Sequence, residues 1–385
     1  MSNTTPECID IKEYLWKNQS DLTSLPSTMS VFAVIYSFII TLGVLGNTLV
    51  VLSVIRHKSL QSVRNMFIVS LSVSDIVISI VSGSITPITA FTKIWLFGEF
   101  LCYLVPLFQG ASLCFSTLTL MAIAIDRFIL IIYPMKRPIQ KVHALWMIAL
   151  NITLATAISM PMFLMQKLVD YGNFCGQFCT EDWGNNEFGR STYGTVVFIL
   201  QFVVPLIVIT FCYTMISLKL NKGLLVKQAS KHASGLGTEQ RRLALQRRLR
   251  TNRMPMAMVG VFLCCWMPTV AFNFLRDYRW LPSFVAQQEY LFGIITHCIS
   301  MSSTVWNPCL YALLNEQFRL AYVDLLQYCR SGQKRCGTRY TDARCSRLVS
   351  NAFLANNSIT EENIKLPNSV RRSKHGDYTA VSSSL

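Results

Sequence analysis

A single carboxylate lies within a long apolar stretch of the sequence. Asp75 is the only charged residue between Arg64 and Lys93, and its surroundings read LSVSDIVISIV. An isolated charge is costly to bury, so a carboxylate in such a stretch usually faces the protein interior and serves a function. It either pairs with a cation or is neutralised by a proton. Asp75 is therefore the first candidate functional residue.

A second group of this kind is the charge pair Asp126 and Arg127, which follows the uncharged stretch 100–125. An exposed surface pair contributes little, but a pair at the end of an apolar segment is a candidate functional pair. No nucleophile–base set and no metal-ligand spacing occurs in a coherent place. We therefore expect neither an enzyme nor a resident cofactor.

The distribution of charge predicts the elements that position these groups. Charged residues make up 14% of the chain and hydrophobic residues 52%, whereas soluble domains contain about 25% charged residues. Seven stretches carry no charge apart from Asp75, and each exceeds the about 20 residues that a helix needs to cross a bilayer. They are 22–55, 65–92, 100–125, 142–166, 191–218, 254–275 and 290–315. We predict an all-α membrane protein, a seven-transmembrane helix bundle, because a barrel would show shorter alternating segments.

The basic residues predict the orientation of this bundle. The net charge is +15, and most Lys and Arg residues fall on the side opposite Met1, which is the positive-inside pattern. We expect a multi-pass protein of the plasma membrane with an extracellular N-terminus. The basic face meets the anionic lipid of the inner leaflet, so no nucleic acid is expected as a partner. Sequons at Asn3 and Asn18 lie on the outer side and predict glycosylation.

The chain divides into four predicted regions. They are an extracellular N-terminal tail (1–28), the seven-helix domain (29–314), an amphipathic eighth helix on the membrane surface (315–330) and a disordered cytoplasmic tail (331–385). Phe318, Tyr322 and Leu325 recur at helical spacing, which favours a helix that lies on the lipid membrane. Cys329 on this helix is a candidate palmitoylation site.

Each predicted span carries a distinctive residue or motif. In chain order they are Gly46-Asn47, Asp75, Asp126-Arg127-Phe128, Trp146, Pro205 with Tyr213, Cys265-Trp266-Met267-Pro268 and Asn307-Pro308-Cys309-Leu310-Tyr311. This ordered set closely resembles the rhodopsin-like G-protein-coupled receptors, over residues 30 to about 330. The resemblance implies a receptor that binds a ligand outside, activates a heterotrimeric G protein inside and interacts with arrestin.

The resemblance implies a sodium site around Asp75. In this family the carboxylate and its polar neighbours hold a sodium ion, which acts as an allosteric modulator. The matching neighbours in this sequence are Asn47, Ser116, Ser303 and Asn307. The alternative, a lone Asp75 that is neutralised by protonation, stays open.

The resemblance also implies a set of residues that change during activation. Asp126 is expected to restrain Arg127 until the G protein binds, and Trp266 is expected to act as a packing switch. Prolines remove backbone hydrogen bonds and make helices easier to bend. The other expected activation residues are Pro205, Tyr213, Phe262, Pro268, Pro308 and Tyr311.

The sequence departs from the family pattern in three places. Phe128 replaces the commoner tyrosine of its motif. Arg247, Arg248 and Arg250 stand where many relatives carry an acidic residue, so the restraint which that residue provides is expected to be absent. Thr117 replaces an aliphatic residue of the usual packing trigger, which puts that trigger in doubt.

The cysteines on the outer side predict disulfide bonds. The resemblance implies a bridge between Cys102, at the start of the third span, and Cys179 in the long outer loop. Cys8 and Cys175 are the other cysteines on that side. Sequence alone does not determine connectivity, so the pairing of Cys8 with Cys175 stays open.

Residues expected near the outer side restrict the possible classes of ligand. Biogenic amine receptors carry an aspartate where this chain has Gln109, and opsins need a lysine that the last span lacks. Acidic residues near the expected mouth favour a cationic ligand through electrostatic steering. They are Glu181, Asp182, Glu187 and Asp277.

Five positions match neuropeptide Y receptors, and the sequence is most similar to their invertebrate neuropeptide F branch. Thr86, Gln109 and His297 match residues that bind the amidated C-terminus of a peptide, and neutral donors and acceptors suit a carboxamide. Asn273 and Asp277 match residues that engage an arginine just before it. The resemblance implies an amidated neuropeptide that ends in Arg-Phe or Arg-Tyr.

Alternatives remain for the site residues, for the ligand and for the class of protein. Thr86 and His297 could bond only within the bundle, and Arg276 or Arg279 could hold Asp277 in a surface ion pair. The ligand could be another RFamide-type peptide or a non-peptide, and a transporter is a more distant alternative.

Two cytoplasmic features predict further partners. The basic loop 221–248 and the family resemblance favour the inhibitory class of G proteins. The sequence ends in SSSL, with Ser383 and Leu385, which fits capture by a PDZ domain.

Overall fold

The computed structural model describes residues 8–133, 139–184, 187–229 and 236–331, and the described residues up to 329 form one compact unit. Several predictions concern residues or side chains outside this description. They are the sequon at Asn3, the tail after 331 with its PDZ motif, and the side chains of Glu187, Arg247, Arg248, Arg250 and Cys329.

The described residues are mostly helical. The helices are α1 (Ile11–Gln19), α2 (Pro26–Arg56), α3 (Val63–Thr92), α4 (Gly98–Ile132), α5 (Lys141–Met165), α6 (Glu187–Phe198), α7 (Val204–Ala229), α8 (Leu236–Asp277), α9 (Ser283–Gln287), α10 (Glu289–Met301), α11 (Ser303–Leu314) and α12 (Glu316–Ser331). One antiparallel hairpin, β1 (Gln166–Asp170) and β2 (Gln177–Glu181), follows α5. The end of the bundle that carries this hairpin is called the outer end below.

Six helical segments among the described residues are long and apolar enough to cross a membrane. They are 26–56, 63–92, 98–132, 141–165, 189–219 and 253–277. The seventh predicted span consists of α10 and α11, which are separated only by Ser302. Each half is too short to cross a bilayer, but the two follow one another over the predicted stretch. The seven-helix prediction is confirmed, with one span divided.

The bundle leaves large apolar side chains on its outside. Phe38, Ile55 and Trp146 are 64%, 67% and 72% exposed, as expected where the surroundings are hydrocarbon rather than water. Inside, α4 packs against α3, α5, α7 and α8. The largest buried cluster, which includes Phe67 and Met258, occupies the half of the bundle that holds Asp126.

Helix geometry is irregular near two of the prolines that were predicted to allow bending. A π-helical turn (Ile199–Val203) directly precedes the helix that contains Pro205. The break at Ser302 precedes the helix that contains Pro308. Pro268 lies within the continuous helix α8. Because proline cannot donate a backbone hydrogen bond, these segments are the most easily bent parts of their spans.

The described part of the N-terminal segment folds against the outer end of the bundle. Cys8 forms a disulfide with Cys175 in the hairpin loop. Asp21 forms an ion pair with Lys93 at the end of α3, with 2.8 Å between Oδ2 and Nζ. The Lys93 ammonium also lies 3.5 Å from the centre of the Tyr290 ring. Residues 8–25 of the predicted tail therefore form an ordered cap, and the open question about Cys8 and Cys175 is answered.

The hairpin is attached to the third span as the family resemblance implies. Cys102 near the start of α4 and Cys179 in β2 form a disulfide. Cys179 pairs with Leu168 in the hairpin register. Both disulfides of the described chain therefore end in the hairpin region, which holds the cap and α4 together.

Helix α12 coincides closely with the predicted amphipathic helix 315–330. Phe318 is fully buried, and its ring lies 5.6 Å from that of Tyr311. Leu320, Val323 and Leu326 are exposed on other parts of the helix. One face therefore packs on the bundle while apolar side chains remain available to lipid.

Candidate ligand-binding site

A cavity of about 450 Å³ opens at the outer end of the bundle. Its walls come from α3, α4, α5, α6, α8 and α10, together with the π-helical turn after α6 and the ends of the hairpin. It brings together six of the residues predicted to bind a ligand, namely Thr86, Gln109, Glu181, Asn273, Asp277 and His297. Residues that are far apart in the sequence therefore share one space, which is large enough for part of a peptide.

Ser82 is the centre of the hydrogen-bond network on one side of this cavity. Its hydroxyl lies 3.2 Å from Thr86 Oγ1, 3.2 Å from Gln109 Oε1 and 3.1 Å from His297 Nε2. Ser82 is fully buried and precedes Thr86 by one helical turn on α3. Sequence reasoning missed it, although this i,i+4 spacing is a signal that could have found it.

His297 is held from its other side by Tyr36 of α2. Tyr36 Oη lies 2.7 Å from His297 Nδ1, and the two rings are stacked with their centres 5.8 Å apart. Both ring nitrogens of His297 therefore have polar neighbours, and these fix the orientation of the imidazole. Thr86 and His297 do bond within the bundle, as one alternative expected, and they also line the cavity.

The opposite side of the cavity carries a cluster of charged residues. Arg190 Nη2 lies 3.1 Å from Asp277 Oδ1, and Arg190 Nε lies 3.4 Å from Glu181 Oε2. Arg276 Nε is farther from Asp277, at 3.7 Å. The ion pair expected at Asp277 is therefore present, but the nearer arginine comes from α6 instead of α8.

Close approach of α6 to α8 explains this arrangement. Ser191 Oγ donates a hydrogen bond of 3.2 Å to the backbone carbonyl of Asp277. Gly194 lies beside the Asp277 carboxylate, and a Cβ at this position would be 3.2 Å from Oδ2. Arg190 escaped the sequence prediction because its partners lie on other elements, and neither composition nor spacing signals such a contact.

Glu181 and Asp182 are adjacent in the sequence, but only Glu181 faces the cavity. Glu181 lies at the end of β2 and accepts a hydrogen bond of 3.2 Å from Trp183 Nε1 beside the cavity. Asp182 is not among the described residues that line the cavity. It pairs with Lys167 at 2.7 Å, and this hydrogen bond lowers the pKa of the Asp182 carboxyl below its usual range. Asp182 therefore has its own partner on the exposed surface.

A much smaller polar cavity surrounds Asp75 in the middle of the bundle. Its volume is about 10 Å³, roughly the space of a single water-sized particle. Asn307 Nδ2 donates a hydrogen bond of 2.8 Å to Asp75 Oδ2, and Ser116 and Ser303 line the same space. One carboxylate, an amide and hydroxyl groups form an oxygen-rich set, so these residues fit a sodium ion.

Asn47 lies beside this cavity without lining it. Its amide donates hydrogen bonds to the carbonyls of Gly43 and Thr304, at 2.9 and 2.8 Å. Its buried Oδ1 has no hydrogen-bond partner among the described residues, and the same is true of Ser72 Oγ and Ser79 Oγ. Such buried polar atoms are commonly satisfied by water.

The predicted activation residues form a column from the cavity to the far end of the bundle. Trp266 lines both the large and the small cavity, and its ring lies 6.1 Å from that of Phe262. At the far end, Arg127 Nε lies 3.0 Å from Asp126 Oδ2. Pro205 and Phe262 meet at a third small cavity with Thr117, and Tyr213 and Tyr311 are buried in the main core.

Thr117 makes a hydrogen bond within its own helix. Its hydroxyl donates to the carbonyl of Cys114 at 2.8 Å, so the polar group is satisfied without a partner on α7 or α8. The methyl group of threonine can then occupy the place of the usual aliphatic residue. The departure from the family pattern at Thr117 is therefore compatible with apolar packing.

Comparison with known proteins relates this architecture to a receptor family. Residues 46–311 match the model of the 7 transmembrane receptor (rhodopsin family). The chain is 33% identical over 340 residues to Neuropeptide receptor npr-1 of Caenorhabditis elegans, covering 79% of this chain and 74% of that protein. It is 32% identical over 307 residues to the Neuropeptide F receptor of Drosophila melanogaster, covering 76% of this chain and 62% of that protein. It is also 32% identical over 310 residues to Neuropeptide Y receptor type 2 of Homo sapiens, covering 79% of this chain and 78% of that protein.

Proposed function

The chain belongs to the rhodopsin family of seven-transmembrane receptors, and on this premise we propose that it is activated by an amidated neuropeptide ending in Arg-Phe or Arg-Tyr. As a family member it is a multi-pass membrane receptor that signals through G proteins and is not an enzyme. Its relatives include receptors for neuropeptides Y and F, which supports a neuropeptide as the ligand.

One observation carries the proposal: a single cavity has a neutral polar side and an acidic side. The neutral side contains Thr86, Gln109 and His297, joined through Ser82. These groups offer hydrogen-bond donors and acceptors without a fixed charge opposite them. A primary carboxamide can use both functions, whereas a free carboxylate would lose its hydration without gaining a cation. The neutral side therefore favours an amidated terminus.

The acidic side of the cavity suits the residue that precedes the amidated terminus. Asp277 and Glu181 supply two carboxylates at the edge of the same cavity. A guanidinium can donate two parallel hydrogen bonds to a carboxylate, which makes arginine the best match for such a site. Asn273 lines the cavity close by in sequence and offers a neutral amide. This arrangement supports the Arg-Phe or Arg-Tyr ending over peptides without a basic residue.

The cytoplasmic partners are proposed on the family premise. Arg127 is released from Asp126 on activation and engages the G protein, which we assign to the inhibitory class from the basic loop 221–248. Arrestin binds the activated receptor, and a PDZ domain takes the terminal SSSL. The N-terminus is extracellular in the plasma membrane, with Asn3 and Asn18 glycosylated and Cys329 palmitoylated.

The proposal is tested with three synthetic peptides that differ only at their C-termini. They end in Arg-Phe-amide, in Arg-Phe with a free acid, and in Ala-Phe-amide. Nucleotide exchange is measured in membranes that contain the receptor and one of several G proteins. We expect activation by the first peptide and at least about tenfold weaker potency for each of the others, which corresponds to 1.4 kcal/mol per lost interaction.

Two results would contradict the proposal. Equal potency of the amide and the acid would exclude recognition of the amidated terminus. No activation by any arginine-containing amide, at normal surface expression and with every G protein tested, would favour another peptide class or a non-peptide ligand. A receptor lacking Arg127, through Arg127→Ala, serves as the signalling-dead control and should still bind the first peptide.

A further inference from the structure

We propose that Arg190 is an internal counter-ion that occupies the acidic side of the ligand cavity and is displaced by the arginine of the ligand. Through this competition Arg190 lowers the affinity of the site for cationic ligand groups. The inference rests on the proposed function and adds to it a residue that controls how strongly cationic peptides are preferred over neutral ones.

The geometry shows Arg190 in the position that a ligand guanidinium would take. It reaches both acids of the cavity, with 3.1 Å to Asp277 and 3.4 Å to Glu181. The acids are largely buried, with side chains 17% and 21% exposed, whereas the Arg190 side chain is 37% exposed. The carboxylates are thus fixed in the wall, while the arginine lies between them and solvent.

The charges of this cluster are already balanced. Glu181 and Asp277 carry two negative charges, and Arg190 and Arg276 carry two positive charges within 4 Å of them. A third cation would gain little from a neutral cluster, because attraction and repulsion nearly cancel. A cationic ligand group therefore binds here by exchange, and one resident arginine must move away.

Arg190 is the arginine that can leave. Arg276 is next to Asp277 in the same helix, so its position relative to that carboxylate is set by the backbone of α8. Arg190 comes from α6, and its long, partly exposed side chain can swing toward water while its apolar stem remains packed. Water then hydrates the displaced guanidinium in place of its ion contacts, which limits the free energy needed for displacement.

Exchange has the same free-energy cost for every cationic ligand, because each must displace the same arginine. A ligand guanidinium can then donate planar, paired hydrogen bonds to Asp277, whose Oδ1 has no hydrogen-bond partner among the described residues. A lysine ammonium is a compact point charge and cannot form such a pair. The preference for arginine over lysine therefore belongs to the acids and does not depend on Arg190. Without Arg190 either cation meets an uncompensated negative site, and both should bind more tightly.

The experiment measures affinities of three amidated peptides that carry Arg, Lys or Ala before the terminal Phe. Each is tested by competition binding on the wild-type receptor, on Arg190→Gln and on Lys167→Gln. Lys167 is the matched control because it is a basic residue of the hairpin that pairs with Asp182 at 2.7 Å. Its removal changes the charge of the outer face equally without freeing Asp277.

We expect Arg190→Gln to raise the affinity of both cationic peptides by a similar factor, on the order of tenfold. The affinity of the alanine peptide should change little, so the preference for cationic over neutral peptides should grow. Lys167→Gln should leave this preference unchanged. If Arg190→Gln does not reach the cell surface, Arg190→Ala provides the same test, and Arg190→Lys should keep part of the competition.

Three results would overturn the inference. Weaker binding of the arginine peptide to Arg190→Gln would show that Arg190 contacts the ligand directly. An unchanged preference for cationic over alanine peptides in Arg190→Gln, with wild-type binding intact, would refute only the role of Arg190. Failure of the wild-type receptor to bind any arginine-containing amide would refute the proposed function and this inference together.

Discussion

Asp277 is the residue on which the identity of the ligand depends most directly. If it pairs with the arginine of the peptide, Asp277→Ala should weaken binding by about 2–5 kcal/mol, the range for one partner of a buried charge pair. In Asp277→Ala the peptide no longer has to displace Arg190 from Asp277, and this offsets part of the lost binding energy. We therefore expect a loss near the lower limit. Affinities of the Arg-Phe-amide and Ala-Phe-amide peptides for both receptors give the coupling between the two changes.

Under direct pairing the alanine peptide should bind wild type weakly and lose little more on Asp277→Ala, since both changes remove one interaction. Asp182→Ala is the matched control, because Asp182 is an outer acid that pairs with Lys167 away from the cavity. Fully additive losses would show that Asp277 contributes only to the negative electrostatic potential at the mouth of the cavity. Its effect on affinity should then fade at high salt.

Ser82 provides a separate test of the neutral side of the cavity. Ser82→Ala removes a hydroxyl that contacts Thr86, Gln109 and His297, and it leaves these buried groups less well satisfied. We expect affinity for the amidated peptide to fall by about 1–3 kcal/mol. The free-acid peptide should lose less, which is measured by competition binding with the two peptides.

Ser79→Ala is the control for this variant. Ser79 is a fully buried serine of the same helix, and its hydroxyl has no hydrogen-bond partner among the described residues. Its removal should therefore change peptide affinity little. Equal effects of the two substitutions would mean that Ser82 contributes packing and not recognition.

These residues also show how far sequence reasoning reaches at the smallest scale. Thr86, Gln109 and His297 could be singled out because polar residues in apolar spans are few and their positions match a known family. Ser82 was marked only by its i,i+4 spacing from Thr86, a weak signal because serine is common in membrane helices. Arg190 had no such signal, because its partners are set by the packing of α6 against α8, which no local pattern encodes.

At the scale of elements, the spans were predictable because uncharged length is a direct requirement of the bilayer. The interruptions within them were not. The π-helical turn before Pro205 and the break at Ser302 depend on how neighbouring helices supply hydrogen bonds. The hairpin was also unexpected, since its two short strands pair across a loop whose position is set by the disulfide of Cys179 with Cys102.

The buried pair of Asp21 and Lys93 is expected to hold the N-terminal cap in place. Their side chains are only 3% and 1% exposed, so Asp21→Asn leaves a buried ammonium without its counter-charge. Breaking such a pair costs about 3–5 kcal/mol. The loss should appear as reduced hydrogen-exchange protection in α1 and the residues that follow it.

Two further variants make this prediction specific. The double variant Asp21→Asn with Lys93→Met should recover much of the protection, because replacement of both charges removes the uncompensated one. Glu13→Gln removes the exposed pair with Lys17, whose side chains are 64% and 69% exposed, and should have almost no effect. Unchanged protection in Asp21→Asn would mean that the disulfide alone anchors the cap.

At the scale of the whole molecule, Asp75 links the centre of the bundle to the ligand cavity through Trp266, which lines both spaces. If a sodium ion binds there, it should favour one packing of the bundle and lower the affinity for agonists. Asp75→Asn removes the only formal negative charge of this small cavity. We expect agonist affinity to lose its dependence on sodium in this variant, as measured by competition binding with and without the ion.

The control replaces sodium by choline at constant ionic strength, which separates specific binding from general screening. Agonist affinity that still responds to sodium in Asp75→Asn would exclude this site. Neutralisation by a proton, the alternative that the sequence left open, predicts instead that wild-type affinity is insensitive to sodium.

The global topology was accessible from sequence because charge asymmetry and motif order act over the whole chain and do not depend on details of packing. The cap was not accessible, because residues 8–25 show no long apolar run and pair with elements that lie far along the chain. Asp21 and Lys93 looked like ordinary surface charges until the fold buried them together.

The disulfide between Cys8 and Cys175 has a consequence for how the receptor is observed on cells. Lys17 is exposed in α1, so trypsin can cut after it, yet the peptide ahead of the cut stays linked to the hairpin through Cys8. An epitope tag fused to the N-terminus would then continue to stain nicked receptors at the cell surface. Only electrophoresis under reducing conditions would release the tagged fragment and tell cut molecules from intact ones.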